Sequence, residues 1–266
     1  VIGAGAGGLS VAAGAAQLVI KVVLLEGDKM GGDCLNYGCV PSKALIAFSN
    51  QRKPKQFNHA MGFIRDAINE IEPHDSEDRF RSLGVNVIRE YGQFVNETTV
   101  AAGAYEIQSR RIVIATGVHT PVPDISGLSD VQYYTNQTIF DLTKKPEHLL
   151  VLGGGPAGVE LAQAFARLGV NVTIFEKRKL LSNFSREQVE ILKGSLVEDG
   201  VSLKEDSCVN NISKVGGKIV VQLNTDDKIT GSHLLVATGK KPNLQNLNLQ
   251  AAGISYSDIG IETDLY

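Results

Sequence analysis

The sequence predicts an α/β protein of two similar halves, each a parallel sheet carrying a small antiparallel β-meander. Three observations predict it. Residues 1–26, VIGAGAGGLSVAAGAAQLVIKVVLLE, align without a gap with residues 151–176, VLGGGPAGVELAQAFARLGVNVTIFE, at an offset of 150. Both stretches place a Gly-rich turn between an apolar strand and an Ala-rich helix. Both halves then end a later apolar strand on Ala-Thr-Gly, at 115–117 and 237–239. An internal repeat of this kind constrains the architecture before any single motif does.

The elements follow in order. Each half opens on the end of a buried strand, turns through its glycines and runs on as a helix. A β-branched strand comes next, Lys21–Glu26 in the first half and Asn171–Glu176 in the second. Short strands split by turn residues then lead to RRIVIATG in the first half. In the second they pass a hairpin at Val215-Gly216-Gly217-Lys218 and lead to HLLVATG. Prolines 121, 123 and 146 mark a crossover linker. The expected domains are 1–118, a linker at 119–146, a second domain at 147–243, and a segment at 244–266 returning to the first. The repeat has one mismatch. Gly169 ends the second helix where a left-handed residue is favoured, but its counterpart is Val19, so the first helix is expected to end differently.

Composition narrows the function. A net charge of −3 leaves no basic footprint for nucleic acid and no polybasic patch for anionic lipid. The uncharged run Val1–Ile20 is long enough to span a bilayer, but five glycines within it favour a buried strand and helix. It lacks the basic leader and cleavage pattern of a secretory signal, so a cytoplasmic location is expected. Three cysteines in 266 residues cannot build a disulfide scaffold. Val1 and Tyr266 both stand as if the chain were cut from a longer protein.

Gly3-x-Gly5-x-x-Gly8 and Gly153-x-Gly155-x-x-Gly158 each join a strand to a helix. The first glycine permits the tight turn and the second lets the backbone approach a pyrophosphate. The third lets helix and strand pack closely, with the helix N-terminus aimed at the phosphates. One such turn is weak evidence. Here each is followed by an acidic residue closing the next strand, Glu26 and Glu176, suited to accept hydrogen bonds from an adenosine ribose. A carboxylate at Glu176 also repels a 2′-phosphate, which favours NAD over NADP, although Lys177 and Arg178 follow it.

Cys34 and Cys39 lie in GGDCLNYGCVPSK, residues 31–43. On an ideal helix, Cα atoms five apart would be roughly 8.5 Å distant, whereas a disulfide needs about 7 Å or less. Bridging them therefore requires a distorted turn, which Gly38 and Pro41 allow, and a strained bridge is readily reduced. Metal ligation and two unrelated buried thiols are the plain alternatives. No second Cys-x-x-Cys or Cys/His cluster supplies further zinc ligands, so no metal site is expected. Cys208 is expected to be a small buried hydrophobe.

Taken together, GGDCLNYGCVPSK, the two Gly-rich turns and the two Ala-Thr-Gly strand ends resemble the class I pyridine nucleotide–disulfide oxidoreductases. These flavoenzymes include dihydrolipoamide dehydrogenase, glutathione reductase and mercuric reductase. The resemblance covers the whole chain and implies two Rossmann-like domains, the first binding FAD and the second a nicotinamide cofactor. It implies a redox-active Cys34–Cys39 disulfide, with Cys39 the thiol beside the flavin and Cys34 the interchange thiol that meets substrate. Lys43 would stand near the reactive flavin nitrogen, paired with Glu160. Gly32, Thr116-Gly117 and Thr238-Gly239 would approach the cofactors. Ser42 and Glu176 point away from the glutathione reductase branch, toward lipoamide dehydrogenase or mercuric reductase. The acceptor would then be a small-molecule or protein-bound disulfide of lipoamide type, or a metal ion.

Two residues depart from the family pattern. Asp33 stands where threonine is usual, and its carboxylate would disfavour a thiolate at Cys34. Pro156 stands where many members carry an aromatic lid. The family continues into a further FAD strand and a dimerisation domain whose His–Glu pair protonates the interchange thiol across a homodimer. Those parts are expected beyond Tyr266, so the 266 residues are not expected to turn over alone. Histidines 59, 74, 119, 148 and 233 are expected to be surface or structural. Asn50–Asn58 reads as short for the long helix that usually follows Pro-Ser-Lys. A non-catalytic redox sensor or assembly protein with the same fold is the competing reading.

Overall fold

The structure, a computed structural model, describes residues 1–51 and 56–264. The Asn50–Asn58 expectation falls partly on residues 52–55, which lie outside those described. The chain divides into two compact units. One comprises Val1–Val40, Ala67–His119 and Lys240–Tyr266; the other comprises Pro41–Asp66 and Thr120–Gly239.

In the second unit, strands His233–Val236, His148–Leu152, Asn171–Phe175 and Val201–Lys204 lie side by side in that order, all parallel. Leu149–Leu152, Val172–Phe175 and Leu234–Val236 are buried without interruption, as strands covered on both faces must be. Helix Pro156–Arg167 carries proline in its first turn and buries Val159, Leu161, Ala162 and Phe165. Strands Val209–Val215, Lys218–Leu223 and Lys228–Gly231 form the antiparallel meander. Gly216 and Gly217, at φ +57° and +80°, make its first hairpin, where two left-handed residues match the strand twist. Its inward residues Ile219, Val221 and Leu223 pack with Leu150, Leu152, Leu234 and Val236, and with Leu128 and Val131 from the linker.

The linker does more than connect. Tyr134 pairs in parallel with Leu235, donating its N–H to the Leu234 carbonyl at 2.7 Å and accepting from Val236 at 2.8 Å. This caps an open sheet edge that would otherwise present unpaired backbone groups. Pro41–Asp66, assigned from sequence to the first domain, groups with the second unit. Phe57 packs on Phe165 with ring centroids 6.2 Å apart, and Arg167 donates to Asn50 Oδ1 at 2.6 Å.

The first unit repeats the scheme. Val23–Leu25 pairs in parallel with Asn86–Ile88, and Ile2 bridges both Leu25 and Ile114 in parallel. Ile2 thus stands between Ile114 and Leu25 as Leu152 stands between Val236 and Phe175. Helix Ala6–Gln17 follows the turn, and Gln93–Asn96, Thr99–Ala102 and Tyr105–Gln108 form the meander. The uncharged run Val1–Ile20 is therefore strand, turn and helix. Among the described residues no helix is long and apolar enough to cross a membrane.

The expectation that the first helix ends differently is overturned. Val19 takes φ +60°, donating to the Ala16 carbonyl, while Ile20 donates to Ala15. Gly169, at φ +76°, donates to Ala166, and Val170 donates to Phe165. Both helices end in the same Schellman motif, one on glycine and one on a β-branched residue. The two hydrogen bonds that satisfy the last carbonyls hold Val19 where its own backbone preference would not.

Candidate functional site

The two Gly-rich turns have the same construction. In the first unit Gly3 takes φ +102°, and a Cβ there would lie 2.3 Å from the Ala115 oxygen. A Cβ on Gly8 would lie 1.8 Å from the Gly3 oxygen. In the second unit the corresponding distances are 2.4 Å from Gly153 to the Ala237 oxygen and 2.1 Å from Gly158 to the Gly153 oxygen. First and third glycines are therefore required by packing. The middle ones are not. A Cβ on Gly155 would meet nothing within 4 Å, and one on Gly5 only the Gly32 Cα at 3.8 Å. Each middle glycine is the N-cap of its helix and offers no side-chain cap, so open space faces a run of helix-end N–H groups. Gly32, at φ +58°, brings its backbone against Gly5: a Cβ there would lie 2.6 Å from the Gly5 Cα.

The strand-end carboxylates brace these turns. Glu26 accepts from the Ala4 N–H at 2.7 Å and the Asp28 N–H at 2.8 Å. Glu176 accepts from the Gly154 N–H at 2.7 Å and the Arg178 N–H at 3.0 Å. Each oxygen keeps a second lone pair, so bracing the turn and accepting from a ribose are compatible. Thr116 and Asn243 exchange hydrogen bonds at 2.8 and 2.9 Å, and Gly117 turns with φ +67°. Thr238 donates to the Pro121 carbonyl at 2.9 Å, and Gly239 turns with φ +121°.

Cys34 sits in the short helix Gly32–Asn36, and Cys39 opens the helix Cys39–Ser49. Tyr37, at φ −138°, breaks the first helix, and Gly38 completes the gap where a Cβ would lie 3.0 Å from the Asp33 oxygen. This is the distortion that five-residue spacing requires. The break brings the two side chains into hydrogen-bond contact, both as reduced thiols. Burial, then the neighbouring Cys39 thiol, push the Cys34 thiol up to about 11, with Asp33 adding to the rise. Cys39 is exposed.

In the second unit Lys43 Nζ meets Glu160 Oε1 at 2.6 Å, across 117 residues of sequence. The lysine side chain is 63% exposed and the glutamate side chain 26%. Glu160 also lines an apolar cavity of about 370 Å³, together with Ile46, Pro156, Val159, Leu181 and Phe184.

A dithiol placed after the first of two duplicated Gly-rich turns points to one family, and comparison with known proteins agrees. The family model for pyridine nucleotide-disulphide oxidoreductase matches residues 1–266. The chain belongs to this family. It is 34% identical over 279 residues to a mercuric reductase from Bacillus cereus, covering 98% of this chain and 44% of that protein. It is 29% identical over 283 residues to a dihydrolipoyl dehydrogenase from Staphylococcus aureus, covering 98% of this chain and 60% of that protein. Among solved structures, the HOCl-induced flavoprotein disulfide reductase RclA from Escherichia coli superposes with a TM-score of 0.91 at 29% identity. That superposition covers 99% of this chain and 61% of RclA. The chain thus spans about half the length of the curated relatives it matches.

Within this oxidoreductase fold, some roles were not legible from the sequence. The bracing by Glu26 and Glu176 was missed, although the signal was present in their equal spacing from the turns. Cys208, expected to be buried, is exposed. It stands just before strand Val209–Val215, where its backbone exchanges hydrogen bonds with Asn224 and its side chain turns outward. The Asp33 carboxylate, expected only to oppose a thiolate, has a cation beside it: Lys240 Nζ lies 3.6 Å away. His119, His148 and His233 pair with Asn243, Thr173 and Ser232 respectively.

Proposed function

We propose that this chain carries the nucleotide sites and the dithiol of a flavin-dependent disulfide oxidoreductase. FAD occupies the first Gly-rich turn, NADH the second, and Cys34–Cys39 form the redox pair. The observation that carries the reading is the contact between the two thiols across the Tyr37–Gly38 break, directly after a turn shaped for a pyrophosphate. Two unrelated thiols have no reason to be held together by a helix interrupted between them. FAD, when bound, supplies the two-electron relay between NADH and the Cys34–Cys39 disulfide.

The chain's own residues do the rest. Gly5 and Gly155 leave room for a pyrophosphate at the uncapped helix starts, and Glu26 and Glu176 hold the turns and would accept hydrogen bonds from a bound ribose. Glu176 disfavours the 2′-phosphate of NADPH. Lys43, paired with Glu160, is the cation that the family resemblance would set near the reactive flavin nitrogen, where an ammonium would stabilise the charge of the reduced ring. Cys34 holds its proton near neutral pH, so a base must take it before the thiol attacks an acceptor. Acceptors of this chemistry are disulfides of lipoamide type and thiophilic metal ions. The whole protein would act as a homodimer.

The test is anaerobic addition of NADH to the FAD-loaded protein, followed by visible spectroscopy. A thiolate beside the oxidised flavin should give a long-wavelength charge-transfer band. Cys39→Ser should abolish it and Cys34→Ser should retain or strengthen it. A protein that binds FAD and NADH but shows no band in any of the three forms is a nucleotide-binding sensor, and the oxidoreductase reading fails.

A further inference from the structure

We propose that Lys240 is a positioning residue for the interchange thiol: its ammonium, held beside Asp33, offsets that carboxylate and keeps Cys34 able to ionise. The inference rests on reading Cys34–Cys39 as the redox pair. Asp33 lies in the first turn of the helix bearing Cys34, and its side chain folds over the break between the two cysteines. A Cβ on Gly38 would lie 3.1 Å from Asp33 Oδ2. A carboxylate there is a like charge to any thiolate forming next to it, and Coulomb repulsion over a few ångströms opposes that ionisation.

Lys240 Nζ stands 3.6 Å from the same Oδ2. The backbone that follows Lys240 is fixed independently of the ion pair. The next two residues, Lys241 and Pro242, pair as a strand with His119 and Val118, and Asn243 is clamped to Thr116 by two hydrogen bonds. Lys241 is engaged elsewhere, with Asp258 at 3.0 Å. Among the described residues, the charged and titratable groups at the cysteine turn include Cys39 and Asp33 against Cys34, Lys240 beside Asp33, and Lys29 over the Tyr37 ring at 5.1 Å. Asp33 and Lys240 are each about one-third exposed, so their influence is modest and sensitive to salt.

The test follows thiol alkylation site by site. The reduced chain is treated with iodoacetamide from about pH 6 to about pH 11, and Cys34, Cys39 and Cys208 are quantified separately by peptide mass spectrometry. Lys240→Met should slow Cys34 alkylation near pH 8 by about two- to fivefold and move its profile to higher pH, and Lys240→Arg should restore it. Asp33→Asn should accelerate Cys34 by a similar factor. Lys240→Met added to Asp33→Asn should change nothing further. Salt at ~1 M, where the Debye length is ~3 Å, should shrink all these differences. Cys208 serves as the exposed reference thiol and should be unaffected throughout. The inference is overturned if Asp33→Asn leaves Cys34 unchanged, or if Lys240→Met slows Cys34 equally with and without Asp33. Should Lys240→Met not fold, the Asp33→Asn and Lys240→Arg profiles still decide the matter. Alkylation needs no flavin, so a chain that failed to bind FAD would defeat the functional proposal without touching this comparison.

Discussion

Replacing Val19 with glycine should make the protein more stable, and the structure sets the size of the gain. Val19 is at φ +60°, a left-handed conformation that is a strong outlier for a β-branched residue. For an L-residue this conformation costs roughly 1–2 kcal/mol, which glycine does not incur. Glycine adds unfolded-state entropy worth about 0.4–1 kcal/mol in the opposite direction. Val19 is 92% exposed, so removing its side chain forfeits almost no apolar burial. The two capping hydrogen bonds are made by backbone N–H groups and survive the change. The expected net gain is about 0.5–1 kcal/mol, or about 1–3 °C in Tm for a chain of this size. The reciprocal change is the control. At Gly169 a Cβ would meet only the Lys145 Nζ at 3.2 Å, so Gly169→Ala should be destabilising by about 0.5–1 kcal/mol, the left-handed backbone cost less the same entropy term. Urea titration and thermal melts of the three proteins read both signs. Equal or lower stability in Val19→Gly, with an unchanged m-value, would refute the shared Schellman geometry.

Three further outcomes follow from the site. Gly155→Ala should fold like the wild type yet lose NADH affinity by roughly tenfold or more, because its methyl has open space in the protein and none beside a pyrophosphate. Gly158→Ala, with its Cβ 2.1 Å from the Gly153 oxygen, should instead lower the melting temperature. Calorimetry and thermal melts separate the two, and equal melting losses would contradict the division of roles among the glycines. Glu176→Ser should weaken NADH binding by roughly ten- to a hundredfold and NADPH binding less, since it removes both the turn brace and the charge facing a 2′-phosphate. An unchanged NADH affinity would sink that role. Burial holds the ring pKa values of His148 and His233 below their ordinary 6.5. The unfolded chain therefore binds more protons just below that pH, and stability should fall as pH drops from about 6.5 toward the lowered folded values. Denaturant midpoints at about pH 7 and about pH 5 test this, with His148→Gln and His233→Gln expected to flatten the slope.

How much of this was legible in the sequence depends on whether a property repeats. The offset of 150 aligns Ile2 with Leu152 and Leu25 with Phe175, and the two Ala-Thr-Gly ends align Ile114 with Val236; the structure places Ile2 between Ile114 and Leu25 as it places Leu152 between Val236 and Phe175. The family motif, and not local pattern, foretold the Lys43–Glu160 pair, because 117 residues separate its members. Tyr134 on the sheet edge, Pro41–Asp66 in the second unit, and Lys240 beside Asp33 are non-local contacts with no repeat behind them. No local propensity encodes them. Leu181 and Gly31 show where duplication stops and chemistry begins. They are 150 apart, both adopt positive φ, and both donate a backbone hydrogen bond to the Gly-rich turn, Leu181 to Gly154 and Gly31 to Ala4. In the second half the leucine side chain lines the apolar cavity. In the first half glycine takes its place, and Gly32 after it lies against Gly5 to open the helix bearing Cys34. One backbone hydrogen bond is kept in both halves, while the residue that carries it differs: a leucine that lines a pocket in one, a glycine that leads into the dithiol helix in the other.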